Sequence, residues 1–217
     1  MRRKFISLAM TGLFMLTLAA PSPASDAQMD RWDFNVFLND KMVGKHSYEV
    51  VRNGDTERVQ SVADFKYKIL FISAYRYEHS NSEQWSNDCL LGFEAQTNAN
   101  GKYTEVSGRR DGSYFTVQGA DGADERLPEC IMSFAYWNPD FLDQSRLLNP
   151  QTGEYVDVSV ERLPEEMLEV RGEPVAATRF RVTAYEVDLM LWYSADNRWL
   201  ALESIAKGGH VIRYELS

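Results

Sequence analysis

The stretch Cys130-Ile-Met-Ser-Phe-Ala-Tyr-Trp-Asn-Pro-Asp-Phe-Leu-Asp-Gln144 is the densest apolar and aromatic run of the chain after its first 24 residues. Asn-Pro-Asp at 138–140 is a helix start, with Asn as the cap and Pro and Asp in the first turn. Apolar residues then follow at helical spacing as far as Leu148. Such a helix has about two turns and is too short to be stable alone. We therefore expect it to pack on a β-sheet and to bury Trp137 and Phe141.

The sequence around this stretch alternates apolar and polar residues with the period of a β-strand, as in residues 32–38. Three pairs predict hairpin turns, because Asn, Asp and Gly tolerate positive φ: Asn53-Gly54, Asn100-Gly101 and Asp111-Gly112. Residues 164–174 are polar and acidic, which indicates an exposed connection. Residues 187–193 and 199–205 are apolar on both faces, as in a strand covered on both sides by a helix or a bound apolar ligand.

This pattern predicts a mainly β fold. We expect ten to twelve strands in one large curved antiparallel meander sheet or partly closed barrel. One or two short helices should pack on the concave face of that sheet.

Residues 1–24 resemble a secretory signal peptide. Basic residues at positions 2–4 precede an apolar run at 6–18, and Ser22-Pro23-Ala24 provides a cleavage site. The alternative is a membrane anchor, but the apolar run is shorter than the roughly 20 residues that a membrane-spanning helix needs. We therefore expect residues 25–217 to form a single β-rich domain that is periplasmic or secreted, with no stable membrane insertion after cleavage.

The charge of the chain also restricts its partners. Loss of the three basic residues takes the formal net charge from −9 to −12. Nucleic acids and anionic membrane surfaces require a basic face, so the composition disfavours both. The simpler interpretation of the acidity is that it keeps an exported protein soluble.

The chain has two cysteines, Cys89 and Cys130. In an oxidising compartment, an even number of cysteines is most simply explained by a disulfide. A metal site is a poor alternative, because the two cysteines are far apart and neither CxxC nor HxxxH spacing occurs. The sequence predicts no metal and no other cofactor.

No catalytic motif stands out. The three histidines, His46, His79 and His210, lack the spacing of zinc ligands. Ser133 is not within a G-x-S-x-G motif, and no phosphate-binding loop is present. Acidic pairs such as Glu78 with Glu83 are expected by chance in so acidic a chain. We name no catalytic residue, and the sequence leans against an enzyme without deciding the question.

Polar residues set among aromatic ones are the more distinctive feature, since ligand pockets combine aromatic walls with a few polar groups. The candidate ligand-binding residues are Tyr75, Arg76, Tyr77, Glu78, His79, Tyr136, Trp137 and Asn138. The alternative is a core in which the Tyr and Trp polar atoms find local partners and Asn138 only caps the helix.

Several stretches form longer motifs: Ala74-Tyr-Arg-Tyr-Glu-His79, Glu83-Gln-Trp85 ahead of Cys89-Leu90, Cys130 to Pro139, Leu148-Asn-Pro-Gln-Thr-Gly-Glu154, and Leu191-Trp-Tyr193 with Trp199 and Leu202-Glu-Ser204. Together they resemble a family of exported bacterial proteins described as a domain of unknown function (6134-type). The resemblance implies a signal peptide, a β-rich domain and paired cysteines, and it assigns no activity. Neighbouring families are similar to periplasmic lipoprotein carriers, in which one curved sheet wraps an apolar cavity; this is an analogy of fold.

The function expected from these observations is the binding or carriage of an apolar or amphipathic small molecule outside the cytoplasm. The alternative is a structural or protein-interaction module of the cell envelope. An enzyme is the third hypothesis, with Arg76, Glu78 and His79 as the first residues to mutate.

Overall fold

The structure, a computed structural model, describes residues 27–69, 72–185, 187–206 and 209–217. The predicted signal peptide at residues 1–24 lies outside the described residues. The elements are β1 (Gln28–Leu38), β2 (Lys41–Asn53), β3 (Thr56–Ile69), β4 (Ile72–Ser86), β5 (Cys89–Ala99), β6 (Lys102–Asp111), β7 (Tyr114–Gln118), β8 (Asp124–Pro128), a 3-10 helix (Pro139–Asp143), β9 (Arg146–Leu148), β10 (Tyr155–Asp157), β11 (Ser159–Val170), β12 (Glu173–Ala184), β13 (Val187–Tyr193), β14 (Trp199–Ala206) and β15 (His210–Leu216).

Thirteen of the strands form one antiparallel sheet in the order β11-β12-β13-β14-β15-β1-β2-β3-β4-β5-β6-β7-β8. Strands β9 and β10 pair separately with each other. Strand β1 lies between β2 and β15, so the first and last strands of the described residues meet in the middle of the sheet. The prediction of one large antiparallel meander sheet is confirmed. The sheet does not close, because β8 and β11 remain its two edges.

The sheet is strongly curved. Tyr77 of β4 and Leu189 of β13 border the same cavity, although six strand spacings separate β4 from β13. In a flat sheet, spacings of about 4.8 Å would place these strands about 29 Å apart. The sheet must therefore bend around the cavity, with its concave face lined by every second residue of each strand.

Local sequence explains the strands and their turns. In β1, Trp32, Phe34 and Val36 are buried and alternate with more exposed residues. All three predicted hairpin turns are found, and the glycine of each has positive φ: Gly54 at 58°, Gly101 at 87° and Gly112 at 63°. Glycine has no Cβ that would clash in this conformation.

Residues 131–148 lie against the concave face, as expected, and Trp137 and Phe141 are 4% and 0% exposed. Their predicted helix is wrong in extent. Only Pro139–Asp143 is helical, as a 3-10 turn capped by Asn138, and the described residues contain no longer helix. Residues 146–148 form β9, because pairing with β10 satisfies their backbone groups better than a short helix would.

Two regions that the sequence analysis did not read as strands are strands at the sheet edges. Residues 164–170, expected in an exposed connection, belong to β11, and residues 124–128 form β8. Both carry charged residues and a proline, Pro164 in β11 and Pro128 in β8. Edge strands tolerate proline and charge because one side of their backbone needs no partner, and this is why their composition resembles that of a loop.

The hairpin of β11 and β12 explains the apolar outer side of β13. Trp192 alternates with the buried Leu191 and Tyr193, and its Nε1 donates to Glu166 Oε1 of β11 over 2.6 Å. At the hairpin turn, Arg171 Nε donates to the carbonyl oxygen of Ser217 over 2.8 Å. Side chains of the hairpin therefore contact the outer face of β13 at Trp192 and the end of the chain beyond β15 at Ser217.

The predicted disulfide between Cys89 and Cys130 is confirmed, with a Cα–Cα distance of 4.9 Å. Next to it, the backbone N–H of Leu90 donates to the carbonyl oxygen of Ile131 over 3.0 Å. Residues 131–148 are called the concave-face segment below. The disulfide therefore fixes the start of this segment to the start of β5.

Removal of this disulfide should lower the free energy of unfolding. The two cysteines are 41 residues apart, and the chain-entropy relation for a loop of that length gives about 4 kcal/mol. Chemical denaturation of a Cys89→Ser/Cys130→Ser double variant would measure the loss. An unfolding free energy within 1 kcal/mol of wild type (roughly the ordinary effect of a single substitution) would show that the cross-link does not hold the segment in place.

Candidate functional site

A cavity of about 300 Å³ lies inside the curve of the sheet. Strands β2 to β4 form one wall and β13 to β15 form the other. Residues 134–137 and 149–151 pass across it between these walls. The cavity is the candidate functional site.

The register of β2, β3 and β4 builds a polar wall. His46 lies opposite Ala63, and Ala63 lies opposite His79, so both histidines belong to one row across the three strands. Ser61 and Asn81 pair in the next row. Since side chains alternate along a strand, residues 79, 81 and 83 of β4 share the concave face.

The histidines of this wall are held by hydroxyl groups. His46 Nε2 lies 2.7 Å from Ser61 Oγ, and its Nδ1 lies 3.3 Å from the hydroxyl of Tyr214. His79 Nδ1 lies 2.9 Å from Thr97 Oγ1. Burial, together with the charge of His79, lowers the pKa of His46 from its ordinary value to about 3. Burial likewise lowers the pKa of His79 to about 4, so both rings are neutral at pH 7.

Glu83 is the buried acid of the polar wall. Its Oε1 accepts hydrogen bonds from Asn81 Nδ2 (2.9 Å) and Ser133 Oγ (3.0 Å), and its Oε2 accepts one from Trp85 Nε1 (2.9 Å). Burial raises the pKa of Glu83, and the three donors act in the opposite direction. The Ser133 hydrogen bond joins the concave-face segment to β4.

The opposite wall is mainly apolar, with Val187, Leu189, Leu202 and Ile212, and it also includes Ser204 and Tyr214. Phe134, Tyr136 and Trp137 lie across the cavity. The hydroxyl of Tyr193 donates to the carbonyl oxygen of Tyr136 over 2.8 Å, and this hydrogen bond joins the segment to β13. Burial raises the pKa of Tyr136, so its phenol stays neutral.

Two buried polar atoms of the lining residues have no hydrogen-bond partner among the described residues: Asn81 Oδ1 and Trp137 Nε1. Buried polar groups are nearly always paired with protein or water, and an unpaired one costs about 1–3 kcal/mol. Two residues of the cavity lining therefore each carry a buried polar atom without a partner, one an acceptor and one a donor.

The cavity opens toward the first residues of β4. Along this strand Glu83 and Asn81 are buried, His79 and Tyr77 are half-buried, and Tyr75 is 41% exposed. The rings of Tyr75 and Tyr77 stack with centroids 6.4 Å apart, and those of Tyr77 and His79 with centroids 6.1 Å apart. A line of flat rings thus leads from solvent to the polar wall.

The structure separates the eight candidate residues from the sequence into two groups. Tyr77, His79, Tyr136 and Trp137 line the cavity, and Tyr75 lies at its mouth. The other three lie elsewhere: Arg76 and Glu78 form an ion pair on the convex face, and Asn138 caps the 3-10 helix and donates to Asp88.

The positions named for an enzyme therefore do not converge, since Arg76 and Glu78 lie on the opposite face of the sheet from His79. Within the described ranges, no group of three or more His, Cys, Asp or Glu side chains is placed to hold a metal ion. In the same residues, no helix is long and apolar enough to cross a bilayer.

Sequence reasoning missed His46, Ser61, Asn81 and Glu83. One signal was present: residues 79, 81 and 83 share the strand face of the apolar Trp85. Three polar residues on a face that ends in tryptophan indicate a polar patch on a concave, partly enclosed surface. The contribution of His46 and Ser61 depends on register and had no local signal.

The sequence matches the family described as domain of unknown function DUF6134 over residues 34–217. The chain belongs to the DUF6134 family. This result confirms the resemblance found in the motifs of residues 74–204. No curated protein matches the sequence.

Among solved structures, the fold is similar to the crystal structure of a beta-barrel-like protein of domain of unknown function DUF1849 from Brucella abortus. The TM-score is 0.64 and the sequence identity is 8%, and the likeness covers 86% of this chain and 94% of that one. At this identity the likeness shows a shared fold and carries no information about a ligand.

Buried His46 should make this DUF6134 domain sensitive to mild acid. Between its ordinary pKa of 6.5 and its folded value of about 3, the unfolded chain binds a proton that the folded chain does not. The free energy of unfolding should therefore fall as the pH drops, by about 3 kcal/mol between pH 7 and pH 4 from this one group. Denaturation at both pH values should show a smaller loss for His46→Gln than for wild type, and an equal loss would contradict the assignment.

The hydrogen bond between Ser133 and Glu83 should contribute to stability. Removal of one partner of a buried hydrogen bond costs about 1–3 kcal/mol, so Ser133→Ala should lower the free energy of unfolding by that amount. Ser82→Ala is the matched control, because Ser82 is exposed on the same strand as Glu83 and should change stability by less than about 0.5 kcal/mol. Equal effects of the two substitutions would show that the hydrogen bond between Ser133 and Glu83 does not stabilise the fold.

Proposed function

We propose that this protein binds and carries an apolar or amphipathic small molecule in the periplasm or another extracytoplasmic compartment. The observation that carries the proposal is the cavity inside the curved sheet. A polar wall with neutral histidines faces an apolar wall of aliphatic side chains, and aromatic residues lie across the space between them.

The size and lining of the cavity suit a small ligand. Its volume of about 300 Å³ lies at the lower end of the range for small-molecule sites. Such sites are mostly apolar, with a few polar groups that orient the ligand, and Ser61, Asn81 and Glu83 provide such groups here. The unpaired atoms Asn81 Oδ1 and Trp137 Nε1 favour an occupant that has polar as well as apolar parts.

Two features support an extracytoplasmic location. Residues 1–24 have the composition of a signal peptide. The disulfide between Cys89 and Cys130 is of a kind that persists in oxidising compartments and is rare in the cytosol.

The alternative is a structural or protein-interaction module of the cell envelope. The two sheet edges give it less support, because neither is suited to pairing with a partner strand. Partner strands add most readily to long, flat, uncharged edges. Strand β8 has five residues, and β11 carries Pro164 with four glutamates, at positions 161, 165, 166 and 169. These features oppose edge-to-edge pairing.

Occupancy of the cavity can be measured directly. Native mass spectrometry of the protein purified from the compartment where it accumulates should show a bound small molecule. The emptied protein should bind N-phenyl-1-naphthylamine, an uncharged fluorescent probe, with saturation at one equivalent. A ligand-free protein that also fails to bind the probe would overturn the proposal.

Two matched variants locate the binding. Ile212→Trp places a larger side chain at a half-buried position of the apolar wall and should weaken probe binding at least tenfold. Ile205→Trp introduces the same side chain at a position that is 56% exposed and does not line the cavity, and it should bind like wild type. Equal affinities for the two variants would place the probe elsewhere.

A further inference from the structure

The cavity has one acidic side chain. Among the described side chains that line it, Glu83 is the only one with a carboxyl group, none is a lysine or arginine, and both histidines are neutral at pH 7. The guanidinium carbon of Arg52 lies 5.7 Å from the ring centre of Trp137, but Arg52 already pairs with Asp30 and Glu57. An anionic head group would therefore find a carboxylate and no cation.

The hydrogen bonds around Glu83 leave acceptors rather than donors. A carboxylate offers about four lone-pair sites, and three are occupied by Asn81, Ser133 and Trp85. The orientation of the Asn81 amide is determined, because its Nδ2 must face the carboxylate. Its Oδ1 is then left unpaired on a residue that is only 7% exposed. The wall thus has one unpaired acceptor, Asn81 Oδ1, and one further lone-pair site on Glu83.

The aromatic residues of the site suit a positive charge. Tyr48, Tyr136 and Trp137 line the same cavity as Glu83. The face of an aromatic ring attracts a cation, and the attraction is stronger where water is excluded. A buried carboxylate is also unfavourable without a counter-ion, and burial raises the pKa of Glu83 accordingly.

We propose that the ligand of this cavity is a protonated amine, with its ammonium group between the Glu83 carboxylate and Asn81 Oδ1 and its apolar body along the wall of β13 to β15. The proposal rests on the function proposed above and names the chemical class of the ligand. Two of the three N–H donors of the ammonium then meet acceptors, and the charge pair is completed inside the cavity. Fatty acids and other carboxylates are disfavoured ligands.

A series of equal chain length tests the head group alone. Octylamine, 1-octanol and nonanoate bury the same eight-carbon apolar chain, so calorimetric titration of the wild type compares only their polar ends. Octylamine should bind at least tenfold more tightly than 1-octanol, and nonanoate should bind most weakly. About 0.15 M salt screens the attraction of a cation to the acidic surface over distances beyond about 8 Å.

Paired variants assign the preference to one carboxylate. Glu83→Gln should weaken octylamine binding at least tenfold and leave 1-octanol binding unchanged. Glu78→Gln removes a carboxylate from the convex face of the same strand and should leave all three affinities unchanged. If Glu83→Gln does not fold, the order of the three ligands on wild type decides the question.

The outcomes separate the two proposals. Nonanoate or 1-octanol binding as tightly as octylamine would overturn the amine assignment and leave the carrier function intact. If the wild-type protein binds N-phenyl-1-naphthylamine but not octylamine, the amine assignment is likewise overturned and the carrier function is left intact. If neither the series nor that probe binds, the proposed function itself fails.

Discussion

The structure depends on how residues 131–148 cover the concave face of an open sheet. An open sheet of thirteen strands has no second layer of its own, and its inner aromatic residues would be exposed to water without a cover. The cover is held at one side by the disulfide to β5 and the Glu83 hydrogen bond to β4. At the other side it is held by the hydrogen bond from Tyr193 of β13. This arrangement links the two halves of the sheet and leaves a cavity between them.

The same hydrogen bonds give the cavity its polar character. Glu83 uses Ser133 to hold the cover and Asn81 to complete its own hydrogen bonds, and the second bond leaves Asn81 Oδ1 without a partner. A residue with a structural role therefore creates an acceptor site in an enclosed space. Asn81 and Glu83 contribute both to stability and to the proposed ligand site. The folding of variants at these positions should therefore be measured together with their ligand binding.

Much of the fold could be predicted because its signals are local. Alternation shows which strands exist, and Asn-Gly or Asp-Gly pairs show where the chain turns. The errors came where tertiary pairing outweighed local preference. Residues 146–148 have helical spacing but pair with β10, and β11 has the composition of a loop but lies at a sheet edge. Only part of the cavity lining could be predicted from the sequence. Tyr77 and Trp137 lie in an aromatic pattern, whereas no sequence pattern distinguishes His46 and Glu83 as site residues.

The sequence by itself determined the β class, the hairpins, the burial of Trp137 and Phe141, and the family, since each depends on residues close together in the chain or on whole motifs. Only the tertiary structure decided which side chains share the cavity. His46 and His79 meet through Ala63 of the strand between them, and β1 pairs with β15 across almost the full length of the chain. Strand register and sheet curvature are properties of the assembled sheet, and no local pattern contains them.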